Sequence, residues 1–461
     1  MPALLDAKLA VARGAGALSR LGGTGATSLP GRVLMRLAPD AIRTLGARLP
    51  DGSALVSATN GKTTTAAMAA EILRSHGLTL VHNRAGANMA GGVATTLLGA
   101  ARAGGGIDGR IGLFEVDEGW LAQLAGELHP RAIVLGNLFR DQLDRYGELE
   151  AIADGWREVL LASDACAVLN ADDPLLADLG RGRERVLYFG VEDDSLALAG
   201  MAHAADAKHC RNCGAPYVFD AVYLGHLGRY HCASCGRSRP EPQVRATDVR
   251  LQGVASASFT LTTPDGSAAV KLGLPGLYNV YNALAAAALA HALGVPLATI
   301  VPALEATRPA FGRAETVSIA GSGGAREMRI LLVKNPAGAN EVLRTLALEP
   351  GEHRLLGVLN DQIADGRDVS WIWDADFEAL QGRVAGVVCA GTRAADLAAR
   401  LKYAGIEEAR IELVPELDAA LARAAAQTPA GSPLYALPTY TAMLAMRKML
   451  SERGELESRW S

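Results

Sequence analysis

Long apolar runs, excess charge of one sign and cysteine are all scarce in this 461-residue sequence. No stretch of 18 uncharged apolar residues occurs, which excludes a transmembrane helix. Lys and Arg number 45 and Asp and Glu 49, so the net charge of -4 gives no general attraction to nucleic acid or membrane surfaces. The N-terminal segment lacks the apolar core of a signal peptide, and we expect a cytoplasmic protein. Its apolar residues are interrupted by Asp6, Lys8, Arg13 and Arg20.

The six cysteines are unevenly placed. Four of them form two Cys-x-x-Cys pairs, Cys210 with Cys213 and Cys232 with Cys235. The 18 residues between the pairs are typical of a zinc ribbon, in which two knuckles present four thiolates. Four cysteines complete the tetrahedron, so the predicted Zn²⁺ is structural and has no position left for a catalytic water. Two disulfides are the alternative, which a reducing cytosol disfavours.

Zinc ribbons also occur in nucleic-acid-binding proteins, where aromatic side chains stack on bases. Basic residues are sparse around this ribbon, so we expect it to be a scaffold without a nucleic-acid partner. His209 and His231 flank the cysteine pairs as expected neighbours rather than ligands. The aromatic residues in question are Tyr217, Phe219, Tyr223 and Tyr230.

A candidate phosphate loop follows an apolar strand at 53–57 and precedes a predicted helix. Backbone N–H groups at such a helix start can hold phosphates, Lys62 can offset their charge as a solvent-facing loop residue, and Thr63 can offer its hydroxyl to Mg²⁺. The strict Walker pattern fails because Val56 stands where a glycine is required. A plain strand–helix turn is the alternative, and we favour ATP binding.

Short apolar runs alternate with helical stretches, which predicts an α/β fold with a mostly parallel sheet. Residues 205–240 interrupt this alternation and are predicted to be the inserted zinc ribbon. We predict an N-terminal helical segment at 1–45, a central ATP-binding domain at 46–314 and a smaller C-terminal α/β domain at 315–461. The glycine-rich stretch 320–326 is expected to mark the boundary region.

The segment Ala58-Thr59-Asn60-Gly61-Lys62-Thr63 resembles the Gly-Thr-Asn-Gly-Lys-Thr loop of Mur ligases and folylpolyglutamate synthases. Further segments follow in that family's order: Phe114–Glu118, Asn137 before Asp141–Asp144, Leu169–Pro174, Gly276 before Asn279 and Asn282, and Gly312-Arg313. The resemblance implies a Mur ligase central domain whose ATP contacts come from Thr59, Asn60, Gly61, Lys62, Thr63 and Thr64.

The resemblance also implies individual roles. Lys62 and Glu115 would serve catalysis, with Thr63 and Glu115 holding Mg²⁺. Asn279 and Asn282 would lie near the nucleotide, and Arg313 would reach ATP from the domain junction.

Two departures from the family pattern limit what carries over. Gln142 stands where relatives have a histidine that can bind a second metal, so a second Mg²⁺ is left open. Residues 332–338 replace the Asp-Tyr-Ala-His-Asn-Pro segment of amino-acid-adding Mur ligases, so the usual amino-acid acceptor is not expected.

Nearly the whole chain is similar to the MurT family, the synthetase subunits of lipid II isoglutaminyl synthase. The segments that carry this likeness are Asn83–Asn88, Asn137–Gln142, Asp365–Asp374, Tyr435–Thr441 and the cysteine insertion. The resemblance implies ATP-dependent amidation of the D-glutamate α-carboxylate in the lipid II stem peptide, through an acyl phosphate. A GatD-type glutaminase would supply ammonia in a heterodimer, and membrane contact would come only through the lipid substrate.

In that family the C-terminal domain lends an aspartate to the partner's Cys–His pair. The candidates are Asp361, Asp365 and Asp368. We select Asp368 because it precedes an apolar and aromatic run at 369–373 that could anchor a loop against a partner. Asp365 stays a close alternative, and an aspartate that only caps the following turn is the other interpretation.

The chain offers one weak candidate for a glutaminase nucleophile of its own. Cys389 ends an apolar run, but Val387 stands where a Gly-x-Cys-x-Gly elbow needs glycine, so a buried core thiol is expected. Two other functions stay open: a Mur-type or folylpolyglutamate-type ligase that adds an amino acid, and a non-catalytic ATP-binding scaffold.

Overall fold

The computed structural model describes residues 2–21, 28–83, 86–141, 148–201, 205–308, 313–321 and 324–456. The side chains of residues 2–3, 18–21 and 313–314 lie outside that description. Within these ranges, no helix is both long and apolar enough to cross a membrane.

Among the described residues, three helices precede the first strand: α1 (Pro2–Leu21), α2 (Leu29–Leu37) and α3 (Ala41–Gly46). They bury Leu9, Leu34 and Ile42 in one core with the helices of the following sheet. Gly31 lets α2 approach the helix at 90–100 closely, because a methyl group there would lie 2.0 Å from the Gly91 carbonyl oxygen.

A nine-stranded sheet forms the larger body. Its strands are β1 (Ser53–Ser57), β2 (Leu80–His82), β3 (Ile111–Glu115), β4 (Ala132–Leu135), β5 (Cys166–Asn170), β6 (Val186–Val191), β9 (Val244–Gln252), β10 (Ser256–Thr263) and β11 (Gly266–Leu272). Their order in the sheet is β11-β10-β9-β6-β5-β4-β1-β3-β2. The strands from β1 to β6 pair in parallel, β9 pairs in parallel with β6, and β9 to β11 form an antiparallel extension.

Helices cover both faces of this sheet, and the central strands β1, β3 and β4 are buried along their whole length. This burial explains the continuous apolar runs in the sequence, since parallel strands covered on both faces do not alternate. The helices are α4 (Lys62–Ser75), α5 (Ala90–Ala100), α6 (Leu121–Leu128), α7 (Leu149–Leu161), α8 (Pro174–Leu179), α9 (Leu277–Ala292) and α10 (Leu297–Ala306).

The cysteine insertion contains a separate antiparallel hairpin of β7 (Val218–Leu224) and β8 (Leu227–His231). The cysteine pairs lie before β7 and after β8, at the open end of the hairpin. Its turn, Gly225-His226, is at the other end.

A six-stranded sheet forms the second body. Its strands are β12 (Arg313–Gly321), β13 (Gly324–Leu331), β14 (His353–Val358), β15 (Val384–Ala390), β16 (Ile411–Leu413) and β17 (Leu434–Pro438). Their order in the sheet is β12-β13-β17-β14-β15-β16. The described pairs are parallel except for the β12–β13 hairpin. The helices of this body are α11 (Pro336–Ala347), α12 (Ala394–Tyr403), α13 (Leu417–Gln427) and α14 (Tyr440–Glu452).

The expectation that residues 320–326 mark a boundary region was wrong. They span the connection between β12 and β13, whose paired strands already belong to the second sheet at Arg313. Glycines suit this place because Gly324 has a φ of +132°, which other residues rarely adopt.

Candidate active site

The loop between β1 and α4 is fixed by hydrogen bonds to the segment that follows β4. Asn137, just past β4, accepts a hydrogen bond from the Asn60 backbone N–H at 2.8 Å, and its carbonyl accepts from the Thr59 N–H at 3.0 Å. Gly61 has a φ of +85°, and a methyl group there would meet the Asn282 side chain at 2.0 Å. The loop therefore lies at the carboxyl edge of the sheet, where open α/β folds bind ligands, with its backbone fixed for phosphate contact.

Lys62 is buried, so the expectation that it faces solvent was wrong. Its ammonium pairs with the Glu118 carboxylate at 2.9 Å and also donates to the Ala58 carbonyl. Burial lowers the pKa of Lys62, but Glu118 and the nearby carboxylates Glu115 and Asp117 outweigh it, and the net shift is upward. The lysine is thus charged and held at the loop by Glu118, a carboxylate for which the sequence predicted no role.

The structure brings together Thr63 and Glu115, the two residues predicted to hold magnesium. The Thr63 hydroxyl donates to the Glu115 carboxylate at 3.1 Å, and Glu115 is only 4% exposed at the end of β3. Asn83 fixes this strand end through two hydrogen bonds of 2.8 Å to the Glu115 backbone. A carboxylate and a hydroxyl oxygen are suitable donors for a hard cation, so the residues present fit Mg²⁺.

Asn279 and Asn282 lie on the first turns of α9, beside the phosphate loop. The Asn282 amide group donates to the Asn279 side-chain oxygen at 3.1 Å, and its own oxygen accepts from the Thr65 hydroxyl at 3.2 Å. Arg313 starts β12, but its side chain lies outside the described parts. Gln142, on which a second metal depends, is outside the described residues altogether.

The second body contributes contacts that no sequence pattern predicted. Lys334 pairs with Asp141 and donates to the Thr59 carbonyl at 3.1 Å. The side-chain amides of Asn335 and Asn60 exchange two hydrogen bonds, at 3.0 and 3.2 Å. Two lysines from different bodies therefore lie at one phosphate loop, each paired with a carboxylate.

A cleft extends from this loop between the two bodies. Asn60, Gly61 and Thr64 line its polar end, and mainly apolar and aromatic side chains line the rest. Glu341 of α11 also borders it, and burial raises the pKa of that carboxyl to about 7 against the opposing effect of Arg344. The remaining lining residues include Leu224, Leu227, Tyr278, Tyr281 and Leu331.

The four paired cysteines converge at one point, and all four sulfurs lie within 4.8 Å of one another. The distance from Cys210 Sγ to Cys235 Sγ is 3.6 Å and that from Cys213 Sγ to Cys232 Sγ is 3.4 Å. A disulfide would need about 2.05 Å, whereas Zn–S bonds of about 2.3 Å in a tetrahedron need sulfurs about 3.8 Å apart. The donor set and its spacing fit Zn²⁺.

The histidine and tyrosine residues near the cysteines make other contacts. His231 Nδ1 lies 3.2 Å from the Asp220 carboxylate. Tyr217, Tyr223 and Tyr230 are buried, and Tyr217 and Tyr230 pack against each other with ring centroids 4.9 Å apart. These three tyrosines are therefore core residues of the structure.

The three candidate aspartates differ in their surroundings. Asp365 is buried and accepts hydrogen bonds from the backbone and hydroxyl of Thr441. Asp361 accepts from the Thr392 hydroxyl at 2.8 Å. Asp368 is exposed and caps the following turn by accepting from the Ser370 N–H at 2.8 Å, which lowers the pKa of its carboxyl.

Cys389 lies on β15, between β14 and the edge strand β16, and is fully buried. Burial raises the pKa of its thiol to about 12, so it is protonated at neutral pH. A protonated core thiol is a poor nucleophile, as expected from the sequence.

The fold and the loop define a Mur-type ligase. Residues 56–231 match the model of the Mur ligase middle domain, and residues 332–443 match that of the MurT ligase C-terminal domain. Solved structures give the same fold. A pseudomurein peptide ligase type C from Methanothermus fervidus has a TM-score of 0.66 at 22% identity, over 89% of this chain and 80% of that one. The MurF ligase from Thermotoga maritima in complex with ADP has a TM-score of 0.62 at 18% identity, over 93% of this chain and 85% of that one.

Two relatives with higher sequence identity are each named as subunit MurT of the glutamine-hydrolyzing lipid II isoglutaminyl synthase. The protein from Staphylococcus aureus (strain N315) is 31% identical over 438 residues, which is 95% of each chain. That from Streptococcus pneumoniae (strain ATCC BAA-255 / R6) is 34% identical over 442 residues, 95% of this chain and 94% of its own. The chain belongs to the MurT family of ligases.

Proposed function

We propose that this chain catalyses the ATP-dependent amidation of the D-glutamate α-carboxylate in the lipid II stem peptide, giving D-isoglutamine. The single observation that carries the proposal is the pairing of the phosphate loop with Glu115, in a chain of the MurT family. In this assignment ATP would contact residues 59–64, Asn279, Asn282 and Arg313.

The reaction needs an activated carboxylate because a carboxylate does not react with ammonia at neutral pH. An oxygen of the glutamate α-carboxylate attacks the γ-phosphorus of ATP, the bond to the bridging oxygen breaks, and ADP leaves. Ammonia then attacks the carbonyl carbon of the acyl phosphate, inorganic phosphate leaves, and the nitrogen loses a proton to the surrounding solvent.

The chain's residues assist the first transfer through charge. The Lys62 ammonium, kept charged beside Glu118, offsets negative charge on the transferred phosphoryl group. Mg²⁺ held by Thr63 and Glu115 would supply a second, oxygen-seeking positive charge at the same phosphates. Lys334 comes from the opposite body and lies at the same loop, paired with Asp141 and bonded to the Thr59 carbonyl.

Ammonia is scarce at neutral pH, where ammonium dominates, so a local source benefits the reaction. We assign that role to a GatD-type glutaminase bound as a second subunit. Asp368 would orient the histidine of the partner's Cys–His pair, and its exposure and ionised state support this choice over the buried Asp365. We place the enzyme at the inner face of the cytoplasmic membrane, where its lipid-linked substrate lies.

This function divides the chain into an N-terminal helical segment at 1–45, a central domain at 46–314 and a C-terminal domain at 315–461. The central domain would bind the nucleotide and zinc, and the C-terminal domain would close over it and hold the glutaminase.

The deciding experiment incubates the purified chain with lipid II, Mg²⁺ and ATP, and supplies ammonium chloride, D-amino acids or L-amino acids in parallel. We expect a mass change of the stem peptide that corresponds to one amidation with ammonium alone, together with one ADP per amide. Product formed only with an amino acid would favour the amino-acid-adding ligase, and ATP binding without product under all conditions would favour a scaffold.

A further inference from the structure

The turn of the zinc-ribbon hairpin lies inside the interdomain cleft, away from the cysteines. Leu224 ends β7 and Leu227 begins β8, and both side chains are buried and line the cleft. They face it together with Tyr278, Tyr281 and Asn282 of α9. An insertion that served only as a remote scaffold would not need to lie there.

The same turn packs against the connection that supports the phosphate loop. His226 is fully buried, with its ring centroid 4.7 Å from that of Phe139. Gly225 permits this approach because its φ is +57° and a methyl group there would lie 2.9 Å from the Phe139 ring. The Phe139 N–H donates to the Thr59 hydroxyl at 3.0 Å, so one residue separates the hairpin turn from the phosphate loop.

Both bodies hold the hairpin in position. Arg344 of α11 donates to the Tyr223 carbonyl at 2.8 Å and to the Leu196 carbonyl at 3.3 Å. On the other side, the Gly228 N–H donates to the Asp172 carbonyl at 2.9 Å. The hairpin turn is therefore fixed from its flanks, while the cysteines fix its open end.

We infer that the zinc-ribbon hairpin forms one wall of the nucleotide-base pocket, so that zinc binding at its cysteine end sets the affinity for the nucleotide. The phosphate end of the cleft is polar, and its other walls are leucines and tyrosines suited to the flat apolar faces of a purine. Leu224 and Leu227 contact the base, and the four cysteines act as positioning residues. The inference rests on the proposed function, because it takes the cleft to be a nucleotide site.

The test compares two ligands by isothermal titration calorimetry in the presence of Mg²⁺. ATP carries a base, whereas inorganic tripolyphosphate occupies only the phosphate loop. For Leu227→Ala we expect the dissociation constant of ATP to rise about tenfold, since several apolar carbons are lost from a base contact. The dissociation constant of tripolyphosphate should stay that of the wild type.

Val218→Ala is the matched control, because Val218 is an exposed apolar residue at the far end of the same hairpin. It should change neither constant, and Leu227→Met should restore ATP affinity because it refills the wall. An unchanged ATP constant for Leu227→Ala, or equal weakening of ATP and tripolyphosphate, would overturn the inference.

A second arm varies zinc content. Preparations with graded zinc content are made by adding zinc to a growth medium depleted of the metal, and ATP affinity is measured against the bound zinc. We expect the fraction of chains with high ATP affinity to follow the zinc content, with tripolyphosphate binding constant. Zinc-free chains that bind ATP as tightly as zinc-loaded ones would overturn the inference, and if zinc-free chains do not fold, the Leu227 variants decide.

The two hypotheses fail differently. If the wild type binds neither ATP nor tripolyphosphate, the proposed function fails and the inference fails with it. If the wild type binds ATP and amidates lipid II but the Leu227 variant behaves as the wild type, only the hairpin assignment is wrong.

Discussion

Replacing Glu341 by glutamine should change how the stability of the protein depends on pH. The side chain is buried in the cleft wall, and burial raises its pKa from the ordinary 4.5 to about 7, with Arg344 acting in the opposite direction. Below pH 4.5 both the folded and the unfolded chain hold the proton, so there is no penalty. Between 4.5 and 7 only the unfolded chain ionises, and stability falls as pH rises. Above 7 the penalty is constant.

The pKa difference sets the size of the effect. At about 1.4 kcal/mol per pKa unit, a shift of this size corresponds to about 3 kcal/mol at pH 8. Glutamine keeps the shape of the side chain and cannot ionise. The free energy of unfolding of Glu341→Gln, measured relative to that of the wild type, should therefore rise by about 3 kcal/mol between pH 4.5 and pH 8. Urea unfolding followed by tryptophan fluorescence at intervals of half a pH unit measures this difference.

Glu408→Gln provides the control of opposite sign. Lys402 donates a hydrogen bond to the exposed Glu408 carboxylate and lowers the pKa of that carboxyl. The pair therefore stabilises the fold at pH values above the pKa that Glu408 has in the unfolded chain. Glu408→Gln should accordingly lower the free energy of unfolding at neutral pH. If the difference between Glu341→Gln and wild type were the same at pH 5 and pH 8, the reasoning from burial would be refuted.

Three further predictions concern the proposed site. Lys62→Ala should abolish amidation and also cost roughly 3 kcal/mol by leaving its buried carboxylate partner unpaired. Glu118→Gln in the same chain should restore stability but not activity, and an active double variant would contradict the phosphate-loop assignment. Elemental analysis should find one zinc per chain, and Cys210→Ser or Cys235→Ser should aggregate because ligand loss removes metal-derived folding energy. A well-folded metal-free protein would count against this. Asp368→Asn should lose glutamine-driven amidation with the partner present and keep ammonium-driven amidation, and equal loss of both would move the residue to the ligase site.

Local patterns in the sequence predicted most of the architecture. An apolar strand followed within a few residues by Asn60-Gly61-Lys62 predicts a tight strand–loop–helix connection. The positive φ of Gly61 is required locally by that connection. The Cys-x-x-Cys spacing likewise fixes the geometry of each knuckle within a few residues. Both signals depend only on neighbours in the chain, so the amino-acid sequence alone is enough to recognise them.

Contacts between distant parts of the chain could not be predicted in this way. Asn60 and Asn335 are 275 positions apart, and Lys334 meets Asp141 across 193 positions. Neither pair has a pattern of its own, because each depends on how two sheets close on each other. The burial of Lys62 was missed for the same reason, since its partner Glu118 comes from a different strand end.

The three aspartates show what structure adds where sequence spacing gives no ranking. Asp365 has both carboxylate oxygens engaged by Thr441, so offering them to a partner would require breaking buried hydrogen bonds. Asp361 is shared between Thr392 and Arg393, which would compete with an incoming imidazole. Asp368 is exposed, and the hydrogen bond from the Ser370 N–H lowers the pKa of its carboxyl. The capping bond that suggested a merely local role therefore also orients this carboxylate, as a partner histidine would require.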